Sequence, residues 1–146
     1  NNVVDRKDVQ AIIDELKEVR PLDNTAKDPS FQKEWLLIWT TEKEINIFSD
    51  WNISGDITQT IDTNGTLQNY IPFIKGGGLG VTGTVTPDEI IQQRTSFEFT
   101  SAELDVNWFK VSFPPIGKGW FDTVYLDDEL RVDENSRDDI LICIPR

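Results

Sequence analysis

Apolar positions along the chain follow two periods. Between residues 5 and 19, Val9, Ile12, Ile13, Leu16 and Val19 recur at intervals of three and four, which lines them along one stripe of an α-helix. Asp5 stands where an N-cap is expected, Asp8 falls in the first turn, and Pro21 marks the stop. From residue 35 onward the period becomes two. The alternation predicts strands over 35–41, 57–63, 66–73, 79–86, 91–99, 104–113, 124–133 and 140–145. Asn64-Gly65 joins two of them and is a strong short-hairpin signal. Within 104–113 the phase moves by one residue, from Leu104, Val106 and Trp108 to Phe109, Val111 and Phe113. That shift predicts a β-bulge.

Residues 21–34 carry Pro21, Asn24, Asp28, Pro29 and Ser30 and read as a connector. Gly76-Gly77-Gly78 reads as a turn, because no strand-then-helix context surrounds it as a phosphate loop requires. The expected fold is mainly β: about eight sequential antiparallel strands after one N-terminal α-helix. That order suits an up-and-down barrel or a sandwich. An eight-stranded barrel is either just filled by side chains or holds one small ligand.

Composition narrows the chemistry. A length of 146 residues fits one domain, expected over 1–146. The chain has no histidine and one cysteine. This removes Ser-His-Asp and Cys-His catalysis, imidazole metal ligation and an internal disulfide. The cysteine, Cys143, lies in the apolar run Ile140-Leu141-Ile142-Cys143-Ile144 and is expected to pack as a small hydrophobe. A net charge of −12 opposes contact with nucleic acid and simple electrostatic docking on anionic lipid. No stretch is long and apolar enough to be expected to span a bilayer as a helix. The chain begins Asn1-Asn2-Val3 without Met, as expected of a processed or excised piece.

Two segments go beyond periodicity. One runs Gln59-Thr60-Ile61-Asp62-Thr63-Asn64-Gly65-Thr66-Leu67-Gln68-Asn69; the other runs from Gly119-Trp120-Phe121-Asp122-Thr123 through Val124-Tyr125-Leu126-Asp127-Asp128-Glu129-Leu130-Arg131-Val132. Together they resemble the plastid lipid-associated protein family, the plant fibrillins. Trp35-Leu36-Leu37-Ile38-Trp39-Thr40-Thr41 is similar to that family's first strand, and the N-terminal helix to its opening helix. Two departures mark a divergent branch. Lys33 stands where the family usually has Gly, and 133–139 lacks the family's turn glycines. The resemblance implies a lipocalin-like barrel in the chloroplast. It places the protein at plastoglobules, at thylakoids or in the stroma, in lipid, carotenoid or prenylquinone metabolism.

The Tyr125–Arg131 segment allows two readings. In one, Arg131 lies over an aromatic such as Trp35 and pairs with Asp127 or Asp128, closing the barrel. In the other, Arg131 and Tyr125 sit in a pocket and hold the polar end of an amphipathic ligand. Residues 127–139 carry seven acids and two bases. They lack the alternation and Gly of a calcium loop, so a solvated acidic loop is expected. Carboxylate pairs for glycoside chemistry have no privileged position among the 26 acids.

The aromatics on strands are expected to be mostly core, with a few lining any open end. The candidate ligand-binding set is Trp39, Phe73, Phe97, Trp108, Tyr125 and Arg131. The expected function is non-catalytic binding of a hydrophobic small molecule such as a lipid, carotenoid or prenylquinone, in or at the barrel. Catalytic, cofactor and metal residues are not expected. The alternative is a filled barrel acting as an adaptor. It would dock on a plastid lipid-metabolism enzyme or a thylakoid complex through residues 76–80 and the 133–139 turn.

Overall fold

The computed structural model describes residues 5–19, 24–43, 53, 55–106, 108–114 and 117–146. Helix α1 (Arg6–Val19) begins after Asp5, whose carboxylate accepts the Lys7 N–H at 3.0 Å. Pro21, the expected stop, lies outside the described residues. Two short 3-10 turns follow, η1 (Thr25–Lys27) and η2 (Pro29–Phe31). Nine strands come next among the described residues: β1 (Glu34–Thr40), β2 (Thr58–Ile61), β3 (Thr66–Pro72), β4 (Gly78–Pro87), β5 (Arg94–Val106), β6 (Phe109–Phe113), β7 (Lys118–Leu126), β8 (Arg131–Asn135) and β9 (Ile140–Pro145).

All pairings among the described residues are antiparallel. The ladder runs β4-β3-β2-β1-β9-β8-β7-β5 and closes through β4–β5. Eight strands therefore make a closed barrel, which removes its sheet edges. Strand β6 is the ninth and pairs only with the far half of β5, from Ala102↔Phe113 to Val106↔Phe109. The β5–β6 hairpin thus stands above the rim as a flap.

Two expected strands are each divided. The phase shift within 104–113 is a reversal of chain direction between Val106 and Phe109, not a bulge, and the two apolar sets face the same side because they pair across a hairpin. The 124–133 segment is broken by a turn at Asp127, whose carboxylate accepts the N–H groups of Glu129 and Leu130 at 2.8 and 2.7 Å. That side-chain bond mimics a backbone turn, so β7 ends at Leu126 and β8 starts at Arg131. Real irregularities lie elsewhere, in β1 between Leu37 and Trp39, in β5 opposite Thr82 and Gly83, and in β7 between Thr123 and Tyr125. The Asn64-Gly65 hairpin forms as expected, with Gly65 at φ 78 and Asp62 accepting the Asn64 and Thr66 N–H groups.

The barrel wall separates two apolar clusters. Inside, Trp35, Ile61, Leu67, Phe121, Leu126 and Cys143 pack with Phe31 from η2. Outside, Val124, Val132 and Ile140 pack under Val9 and Ile13 of α1. The helix therefore uses only part of its stripe: Ile12 and Val19 are 58% and 82% exposed.

Candidate functional site

The end of the barrel where β1 begins forms a packed floor. Trp35 and Arg131 are both fully buried there. The Trp35 indole N–H donates to the Phe31 carbonyl at 2.9 Å, which fastens η2 across the opening. The Arg131 guanidinium lies 5.1 Å from the Trp35 ring, 5.2 Å from Phe31 and 5.9 Å from Phe121. Its ion-pair partner is Asp133, at 2.9 Å; Asp127 holds the β7–β8 turn instead. This pairing follows from strand alternation, since Arg131 and Asp133 are two apart on β8 and both point inward. Arg131 also donates to the Gln59 side chain, and Gln59 donates in turn to Asn69 at 3.0 Å. The Thr123 hydroxyl donates to Asp133 at 2.8 Å.

Burial pushes the Asp133 carboxyl above its ordinary value, against the opposing pull of the guanidinium and the Thr123 hydroxyl. Burial also pushes the Cys143 thiol up to about 11. The thiol is therefore protonated at neutral pH and makes a poor nucleophile. The Thr25 hydroxyl donates to the Thr123 carbonyl at 2.9 Å and Ala26 N–H to Gln92 O at 3.2 Å, so η1 closes the same end.

Above the floor an aromatic row climbs the interior. Phe31, Phe121, Phe97 and Phe99 follow one another with ring centroids 6.0, 6.2 and 5.1 Å apart. The upper level is looser. Leu79 pairs with Leu104 and Val81 with Ala102, all half-buried. The same inner face continues onto the flap through Val106, Phe109, Val111 and Phe113. There Val106 is 38%, Phe109 53% and Phe113 41% exposed. Trp108 at the flap's tip is 91% exposed. The Gly78↔Asp105 pair brings the β3–β4 turn, with exposed Ile74, beside that tip.

The six candidate ligand residues fall in different places. Arg131 and Phe97 are inside, in the floor and the aromatic row. Trp39 and Tyr125 pack on the outer wall with the helix cluster, and the Tyr125 hydroxyl donates to Asp127 at 2.7 Å. Phe73 lies at the upper end, bridged to Ile53, and Trp108 crowns the flap. The apolar flap face is hidden in the sequence because its phase shift resembles a bulge. The clue available was Val106, Phe109, Val111 and Phe113 placed symmetrically about a possible two-residue turn.

The acidic 127–139 segment does not form one loop. Asp127, Asp128 and Glu129 turn at the floor end, where with Asp28 and Ser30 they line an outer cavity of about 430 Å³. Asp133 is in the core, and Glu134 pairs with Lys17 at 2.8 Å. The remainder forms the opposite turn, where Asp138 takes φ 61 in place of a glycine. There Asn135 accepts the Arg137 and Asp139 N–H groups at 2.9 and 3.0 Å.

A closed eight-stranded antiparallel barrel, sealed at one end by a buried Arg–Trp pair and flanked by a helix, defines a lipocalin-like architecture. The family model PAP_fibrillin matches residues 1–144. The chain is 39% identical over 123 residues to probable plastid-lipid-associated protein 11, chloroplastic, of Arabidopsis thaliana, covering 79% of this chain and 56% of that protein. This chain belongs to the plastid lipid-associated protein (fibrillin) family and is a chloroplast protein. It spans little more than half the length of that relative. No solved structure matches it.

Proposed function

We propose that this domain binds the apolar part of a lipid, carotenoid or prenylquinone at the upper mouth of the barrel, against the β5–β6 flap, and catalyses no reaction. The observation that carries this reading is the inner apolar row of the flap, which continues the half-buried upper barrel and remains exposed at Val106, Phe109 and Phe113. Covering such a row returns about 25 cal/mol per Å² of apolar surface. The floor offers no comparable room, since Trp35, Leu67, Leu126 and Arg131 fill its section. Arg131 is in this reading a structural residue. A mouth of this kind suits a protein resting on plastoglobules or thylakoids.

Titration with a prenylquinone, followed by tryptophan quenching, tests it. Saturable quenching at micromolar ligand is expected, abolished by Val111→Asp and kept by Phe73→Leu. Equal quenching in the Val111→Asp variant would refute the mouth as the site.

A second reading, an adaptor for a plastid lipid-metabolism enzyme or thylakoid complex, draws support from one feature. Strand β6 ends the sheet order and has no ladder partner on its outer edge among the described residues. Such an edge accepts an added strand. A pull-down from plastid extract that recovers no stoichiometric partner would count against it.

A further inference from the structure

The wall formed by β4, β5 and β7 carries a different kind of surface. Its outward rungs are Thr84↔Glu98, Thr86↔Ser96, Ser96↔Trp120 and Glu98↔Lys118. These side chains line an outer groove of about 340 Å³, at the small end of the range typical of small-molecule sites. The wall on the other side of the barrel is apolar and lies under α1. This one is hydroxylated along the groove, and α1 meets β7 beyond that lining, at Val124.

The groove has a fixed platform. The Arg94 guanidinium lies 3.5 Å from the Trp120 ring centroid. A two-pronged ion pair to Asp122, at 2.8 and 2.9 Å, holds the guanidinium in place. One indole face is therefore occupied and the ring is held. Beside it, Gly119 lets the inner Phe97 ring pack close, since a Cβ there would stand 3.0 Å from Phe97 Cζ.

The polar groups are uncommitted. Among the described residues, Thr84, Thr86, Ser96, Glu98 and Lys118 make no side-chain hydrogen bond or ion pair within the chain. Three hydroxyls both donate and accept, a carboxylate accepts and an ammonium donates. Glu98 and Lys118 face each other across the ladder, so their charges offset and neither a cation nor an anion is favoured. A purely apolar ligand would strip water from five polar groups without replacing their bonds. The chemistry that fits is neutral, rich in hydroxyls that both give and take hydrogen bonds, and apolar on one face to lie against Trp120.

We propose that this groove binds a neutral polyhydroxylated group, a sugar ring, independently of the apolar mouth. The ring is either a free glycoside or the headgroup of a glycosylated lipid. Three probes distinguish these sources: methyl β-galactoside, phosphatidylcholine vesicles, and the same vesicles containing a monogalactosyl diacylglycerol. Binding is followed by amide shifts of residues 84–86, 96–98 and 118–120.

Saturable shifts with the methyl glycoside would establish the free ring as ligand. Shifts with the glycolipid vesicles alone would establish the headgroup. In either case Glu98→Gln, an exposed change that leaves the fold intact, weakens binding about tenfold or more, the cost of one lost charged hydrogen bond. Thr84→Val weakens it less, and Val111→Asp on the flap leaves the glycoside shifts unchanged. The proposal is overturned if neither probe shifts these amides, if inorganic phosphate shifts them equally, or if Glu98→Gln and Trp120→Ala bind as well as the parent.

Discussion

Arg131 is held by one carboxylate, one amide and three aromatic rings in a section with no exposure. Removing one member of such a buried pair strands the other charge. Arg131→Ala is therefore expected to lower stability by about 3–5 kcal/mol in denaturant titration, whereas Arg131→Met combined with Asp133→Leu costs much less, because it removes both charges. An Arg131→Ala domain as stable as the parent would contradict the floor's structural role. Cys143 is the second residue with a measurable signature. Its thiol is pushed from 9.0 up to about 11, burial being the main cause. In that window the folded state binds more protons than the unfolded one, so stability is present below pH 9 and is lost as pH climbs toward 11. Cys143→Ala is expected to flatten that alkaline fall, and a native thiol that reacts freely with a thiol reagent at neutral pH would contradict the burial.

Among the elements, α1 makes the clearest division between residues that matter and residues that do not. Ile13 is 1% exposed against Val124, Val132 and Ile140, while Ile12 beside it is 58% exposed. Ile13→Ala is expected to cost about 2–5 kcal/mol and Ile12→Ala less than about 0.5 kcal/mol, both read from urea midpoints. The β8–β9 turn gives a prediction of the opposite sign. Asp138 is exposed and sits at φ 61, where an L side chain is strained. Asp138→Gly is expected to raise stability by about 0.5–1 kcal/mol, and an unchanged or lower midpoint would contradict that. The elements also show where sequence reading succeeds. The helix stripe and the Asn64-Gly65 hairpin are local signals, and they place α1, β2 and β3 to within a few residues. The flap is not legible in the alternation, because a tight reversal and a bulge both shift its phase by one. The β7–β8 break is not legible either, because its turn is made by the Asp127 side chain, with no Gly or Pro to announce it. The floor is half legible: Arg131 over an aromatic such as Trp35 is one of two readings the segment allows, but its pairing with Asp133 in place of Asp127 or Asp128 depends on which way β8 faces, and that is decided only when the barrel closes.

At the scale of the whole molecule the two ends differ in kind. The floor-end turns carry Asp62, Asp88, Glu89, Asp127, Asp128 and Glu129, and Arg131 and Trp35 seal the interior behind them. The rim end carries Ile74, Trp108, Phe109 and Phe113 in the open, beside the charged Arg137-Asp138-Asp139 turn. The flap's charged side chains are tied to one another, with Lys110 at 3.3 Å from both Glu103 and Asp105. On the proposed reading the molecule meets an apolar phase by this rim, while the floor-end β4–β5 turn exposes Ile90 and Ile91 beside Asp88 and Glu89. On that reading its acidity favours lipid whose surface carries no net negative charge. The most direct test of this polarity is paramagnetic broadening of amide signals by a lipid carrying a spin label near the end of its acyl chain. The strongest broadening is expected at Leu104, Val106, Phe109, Val111 and Phe113, with Trp35, Leu67, Leu126 and Arg131 little affected. Broadening centred on Trp35 and Arg131 would contradict it, because the chain would then lie in a floor that the structure fills with side chains.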